Sequence, residues 1–72
     1  MAIRDIAFTS EKNVTSVQYD NETQELTVTF HHGGTYQYRN VPESVAVGFE
    51  SAPSAGQYLN GFIKNLYEYE KV

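Results

Sequence analysis

The stretch HHGGTYQYRNVP, His31 to Pro42, gathers paired histidines, two glycines, two tyrosines flanking Gln37, and Arg39. Paired imidazoles suggest metal ligation, the tyrosines suggest stacking on flat rings, and Gln37 with Arg39 offers polar recognition. Neighbouring strand residues point to opposite faces, and two imidazoles without further ligands make a poor zinc site. His31 and His32 therefore read as a solvated turn pair, and no metal is expected. Ser54, a histidine and Asp20 could be written down as a triad, but no nucleophile elbow or phosphate loop surrounds them. Cysteine is absent, which removes thiol nucleophiles, thiolate zinc sites and disulfides. The chain is expected to be no enzyme and to need no cofactor.

A second stretch, APSAGQY, has the character of a helix start. Unpaired N–H groups there, with Gly56 allowing close approach to the backbone, make Ser54 and Gly56 a candidate anion site. Ser54 and Gln57 also have capping-box spacing and can satisfy the same groups themselves. Gly56 can equally serve close packing of the helix. Arg39, Gln37, Lys64 and Tyr58 are the candidate contacts to a nucleic acid or a protein partner. Tyr58, Tyr67 and Tyr69 offer stacking elsewhere than the sheet's wet face, near Lys64 and Lys71.

Positioning these side chains requires a scaffold, and the hydropathy pattern supplies one. VTSVQYD, ELTVTF and TYQYRN each alternate with the period of a half-buried strand, and the turn residues DNETQ and HHGG separate them. This predicts a three-stranded antiparallel meander with one wet face. NVPESVAVGFESA then switches to helical spacing through Val41, Val45, Phe49 and Ala52. Asn40 with Glu43 predicts a capping box, with Pro42 in the first turn and an end near Ser51, before Pro53. Tyr58, Leu59, Phe62, Ile63 and Leu66 form the apolar stripe of a second helix opened at Ser54. DIAFT fits a short edge strand with Ile6 and Phe8 on one side. The tail YEYEKV fits either a strand or, through Tyr69, a continued helical stripe. The fold class is α+β: the meander, then two helices packed on one face, with short extra strands at the termini left open.

Register decides the role of the tyrosines, because a slip of one residue turns every side chain over. A loop of His32-Gly33-Gly34, with Gly34 left-handed, pairs Phe30 with Tyr36 and Val28 with Tyr38. A four-residue turn at Asn21–Gln24 pairs Tyr19 with Leu26 and Val17 with Val28. The alternative Gly33-Gly34 hairpin would turn Tyr36 and Tyr38 away from Phe30. A short chain can hardly spare two tyrosines from its core, so the first register is preferred. The wet face then shows Ser16, Gln18, Thr27, Thr29, Thr35, Gln37 and Arg39, without the exposed aromatics that single-stranded RNA requires there.

With 72 residues the chain is expected to form one domain, residues 1–72. A core of that size supplies no more than roughly 3–5 kcal/mol. Nine acidic against five basic residues give a net charge of −4, which opposes a phosphate-dominated nucleic-acid binder. MAIRDIAF lacks the apolar run of a secretion signal, and no stretch approaches the ~20 apolar residues of a membrane helix. A soluble, cytoplasmic protein without membrane partners is expected.

Ser16-Val17-Gln18-Tyr19-Asp20, Tyr36-Gln37-Tyr38, Asn40-Val41-Pro42, Ser54-Ala55-Gly56-Gln57-Tyr58 and Ile63-Lys64 recur in order and spacing in one known module. From about Phe8 to Tyr69 the chain resembles the KTSC domain, named for the C-terminus of some lysyl-tRNA synthetases and found also in small bacterial and phage proteins. Gln18 departs from a glycine common in that family, and FTSEKN from a more serine-rich approach. The family has no assigned active site. The resemblance implies a non-catalytic binding module, with RNA or tRNA as the partner suggested by the synthetase context. The alternatives are a protein-interaction or self-association module, or an accessory factor that sequesters an anion at Ser54 and Gly56.

Overall fold

The computed structural model describes residues 3–8 and 13–72. β1 (Ile3–Asp5), β2 (Val14–Asp20), β3 (Glu25–Phe30), β4 (Thr35–Tyr38) and β5 (Tyr69–Lys71) form one sheet in the order β1-β2-β3-β4-β5. Every neighbouring pair is antiparallel. Between β4 and β5 the chain makes α1 (Glu43–Val47), one 3₁₀ turn (Gly48–Glu50) and α2 (Ala55–Phe62). The fold is α+β, and the strand reading of the tail holds. The N-terminal strand lies upstream of its expected place: Ile6 follows β1 and is buried, and Thr9 of the predicted segment lies outside the described residues.

The core forms on the sheet face that the helices cover. Val17 and Tyr19 of β2, Leu26 and Val28 of β3 and Tyr38 of β4 meet Ala46, Phe49, Ala55, Leu59 and Ile63. Val14 joins them although strict alternation would turn it outward. A register shift between Val14 and Ser16 inserts one residue and brings the valine back to the core side.

The β2–β3 turn pairs Tyr19 with Leu26 and Val17 with Val28, as expected. The β3–β4 hairpin corrects the predicted register. Val28 pairs with Tyr36 and Leu26 with Tyr38, two residues from the predicted pairing. Phe30 is paired with Val14 on its other side, and its N–H donates to the Gly34 carbonyl at 3.0 Å. That closes a wider turn in which Gly33 and Gly34 take φ of 133° and 87°, conformations that glycine reaches without strain. A slip of two keeps parity, so both tyrosines still face the core side.

The start of α1 is a second correction. Asn40 has φ of 58° and does not cap; Pro42 is the N-cap residue, with extended backbone and no side-chain cap bond. Asn40 instead turns the chain out of β4, a left-handed role that asparagine tolerates well. Val41 follows fully buried, its N–H donating to the Gln24 carbonyl at 3.0 Å. A third correction concerns the second helical stripe. α2 stops at Phe62, so Leu59 and Ile63 are buried while Phe62 and Leu66 remain 60% and 67% exposed. Among the described residues no helix is long and apolar enough to cross a membrane.

Candidate functional site

The open face of the sheet places Gln18, Thr27 and Gln37 opposite one another in successive strands, between Asp5 and Glu70. These side chains satisfy each other. Gln18 Nε2 donates to Asp5 Oδ1 at 3.1 Å, Gln37 Nε2 to Thr27 Oγ1 at 3.5 Å, and Thr35 Oγ1 to Thr29 Oγ1 at 3.4 Å. Arg39 is held by the Glu70 carboxylate. With Asp20 and Glu25 also paired on this face, its charge is acidic. A polyanion meets repulsion here.

Tyr58 and Ser54 lie elsewhere. The Tyr58 hydroxyl donates to the Val45 carbonyl at 2.7 Å, and its ring contacts Phe49 and Phe62 at centroid distances of 4.7 and 5.0 Å. Burial raises this phenol above its ordinary value, with Tyr67 adding to the effect. Ser54 is the N-cap of α2, its Oγ accepting from the Gln57 N–H at 3.4 Å. Gly56 lies in the first turn of α2, half-buried. A hollow of about 450 Å³ beside this turn is bordered by Pro53, Tyr58 and Phe62 but by no basic residue.

A second hollow, of about 390 Å³, opens between the β3–β4 turn, the end of α2 and β5. Alternation builds it. Tyr69 and Lys71 of β5 stand opposite Tyr38 and Tyr36 of β4, so all four project on the helix side of the sheet. Tyr38 and Leu59 form its buried floor, and Phe30, Tyr36 and Tyr69 its walls. Phe30 meets Tyr36 edge-on at 5.8 Å, and Tyr69 contacts both Tyr36 and Tyr38 at 5.5 Å. Tyr69 is still 52% exposed. His32, Asn60 and Lys64 supply the polar rim. Burial raises the Tyr38 phenol above its ordinary value, and the phenols of Tyr69 and Tyr36 raise it further.

Charge separates this groove from the rest of the surface. Arg4 is engaged by Glu50 at 3.1 Å and Glu43 at 3.8 Å, and Arg39 by Glu70. Among the described residues Lys64 and Lys71 enter no ion pair. Lys71 runs along the hairpin loop, its Cε 3.0 Å from where a Cβ on Gly34 would sit. The six residues singled out from sequence thus fall in three places: Arg39 and Gln37 on the acidic face, Ser54, Gly56 and Tyr58 around the α1–α2 turn, and Lys64 in the groove. Phe30, His32 and Asn60 were not singled out. Their convergence depends on how α2 lies across the sheet, which local periodicity does not encode. Among the described residues no group of three histidine or carboxylate side chains forms a metal site.

A family model, the KTSC domain, matches residues 10–69. The chain is 42% identical over 76 residues to a lysine–tRNA ligase of Nostoc punctiforme, covering 99% of this chain and 14% of the ligase. It is 42% identical over 55 residues to a lysine–tRNA ligase of Trichormus variabilis, covering 76% of this chain and 10% of that protein. The chain therefore spans only a small part of the length of these relatives. The crystal structure of a KTSC domain protein from Yersinia pestis superposes with a TM-score of 0.88 at 34% identity, over 99% of both chains. Matched over most of its length by that model, and sharing the fold of that crystal structure, the chain belongs to the KTSC domain family.

Proposed function

We propose that this chain is a non-catalytic RNA-binding module that works beside tRNA in the cytoplasm, and that it grips RNA in the groove between β4, β5 and the end of α2. The observation that carries this reading is that Lys64 lines the groove with the half-exposed ring of Tyr69, that Lys71 stands on the same side of β5, and that among the described residues neither lysine enters an ion pair. Cations that hold phosphates and rings that hold bases are the two parts of a single-strand binder. The likeness to a segment of lysine–tRNA ligases supports tRNA as the physiological context. A net charge of −4 keeps the grip weak, near the ~10⁻⁴–10⁻⁶ M of non-specific binding. Weak affinity is useful in a module joined to a larger protein, where it raises the local concentration of a shared RNA.

Fluorescence anisotropy of labelled tRNA and single-stranded RNA against salt tests the proposal. Two lysine–phosphate contacts give a log–log slope of about −1.4 for a single strand, falling to about −0.7 in K64Q. Absence of binding at low salt, or affinity that ignores salt, rejects it. A second reading, self-association or protein interaction, rests on the exposed Phe62 and Leu66 and on the short edge strands β1 and β5. A monomeric mass at high concentration, measured by light scattering, rejects the self-association form.

A further inference from the structure

We infer that the groove accepts an unpaired RNA segment of one or two nucleotides, with a base lying on Tyr69, and excludes duplex RNA. The inference rests on the RNA-binding reading above and adds the form of RNA that fits. A hollow of about 390 Å³ is near the lower end of small-ligand sites, which span ~300–1,000 Å³. It is concave and flanked by the hairpin loop and the end of α2. Double-stranded RNA is gripped across its grooves by a broad, electropositive surface. The broad surface of this molecule is the open sheet face, where Asp5, Asp20, Glu25 and Glu70 stand.

Ring geometry narrows the mode of contact. Tyr69 is packed against Tyr36 and Tyr38 at 5.5 Å, leaving no slot between the rings for a base. The 52% of Tyr69 that remains open is the surface on which a base can lie. Lys71 follows two residues later on the same face of β5, about 7 Å along the strand, within reach of a phosphate next to that base. Lys64 approaches from the turn that follows α2, and the Asn60 carboxamide on α2 offers a donor and an acceptor to a base edge.

The test compares a labelled single-stranded RNA octamer with the same strand annealed to its complement, using the 72-residue chain at low salt. The single strand binds at least tenfold more tightly. Y69A loses on the order of tenfold for the single strand, the value of one base stack, while Y69F retains binding. Tyr69 lies on an edge strand and is half exposed, so Y69A keeps its fold, as an unchanged thermal melt verifies; K64Q provides an independent loss. Equal affinity for both RNAs overturns this inference and leaves the broader RNA reading standing; Y69A binding the single strand like the parent overturns this inference and moves the RNA contact away from the Tyr69 ring. Affinity for an acidic peptide with none for either RNA overturns both.

Discussion

The phenol of Tyr19 enters the core with 1% of its surface exposed, and its hydroxyl donates to the Val41 carbonyl at 2.6 Å. Val41 is itself fully buried, so this one bond satisfies an acceptor that water does not reach. Y19F removes the donor and keeps the ring. The orphaned carbonyl costs about 1–3 kcal/mol, a large share of a small domain's stability, and urea denaturation reads it as a lower midpoint with an unchanged slope. Burial raises the Tyr19 phenol above its ordinary value, and the carboxylates of Glu43 and Asp20 raise it further. The folded state therefore holds this proton to higher pH than the unfolded chain. Its contribution is complete below the unfolded value of about 10 and is lost as pH rises through the folded value. Denaturation midpoints accordingly fall above about pH 10, and the fall attributable to Tyr19 disappears in Y19F.

At the scale of elements, the 3₁₀ turn is shaped by its contact with α2. A Cβ added to Gly48 would lie 2.0 Å from the Tyr58 hydroxyl and 2.6 Å from its Cζ. That ring is held by Phe49, Phe62 and the Val45 carbonyl, so it cannot swing aside without breaking those contacts. G48A is expected to destabilise the protein by about 1–3 kcal/mol, the range for overpacking. In a double-mutant cycle with Y58A the two effects are non-additive, because removing the ring vacates the space the methyl needs. Additive melts would show that Gly48 is required for some other reason.

The same scale shows what the residue pattern revealed. Alternation located β2, β3 and β4, and parity placed Tyr36 and Tyr38 on the core side even though the hairpin register was two residues off. Parity survived because it depends on alternation, whereas the number of turn residues depends on which partners the flanking groups find. Phe30 found Val14 and the Gly34 carbonyl. The Asn40–Glu43 spacing misled because capping geometry is fixed by backbone angles, and at Asn40 the exit from β4 demanded a positive φ.

Across the whole molecule, charge is spread unevenly: Arg4 and Arg39 are each held by carboxylates, and among the described residues the lysines of the groove region are not. The open side of the sheet carries paired and acidic groups, while Lys64 and Lys71 stand on the helix side, next to the exposed rings. Net charge alone argues against nucleic acid, yet a sum over the chain hides a local reversal of sign. Tyr69, Lys64 and Lys71 were named as neighbours from sequence, but the tail YEYEKV fitted strand and helix alike, so their placement on one side of β5 came only with the fold. Phe30 and Asn60, far apart in the chain, join them only once β5 docks beside β4 and α2 crosses above. Secondary structure was therefore more legible than the site.

β5 is three exposed residues at a sheet edge, the kind of element that opens locally well before the protein unfolds. It also carries both Tyr69 and Lys71, so the groove exists only while this strand is docked. Occupancy and strand closure are then two readings of one equilibrium: a ligand in the groove must hold the strand shut. The Val72 N–H, bonded to the Thr35 carbonyl at 2.9 Å, and the Arg39 N–H, bonded to Glu68 at 2.8 Å, are its reporters. Single-stranded RNA at ten times its dissociation constant is expected to slow hydrogen exchange at these amides about tenfold, an effect shared by every amide whose opening undocks β5. Exchange unchanged by bound RNA would mean that the strand opens with its ligand in place.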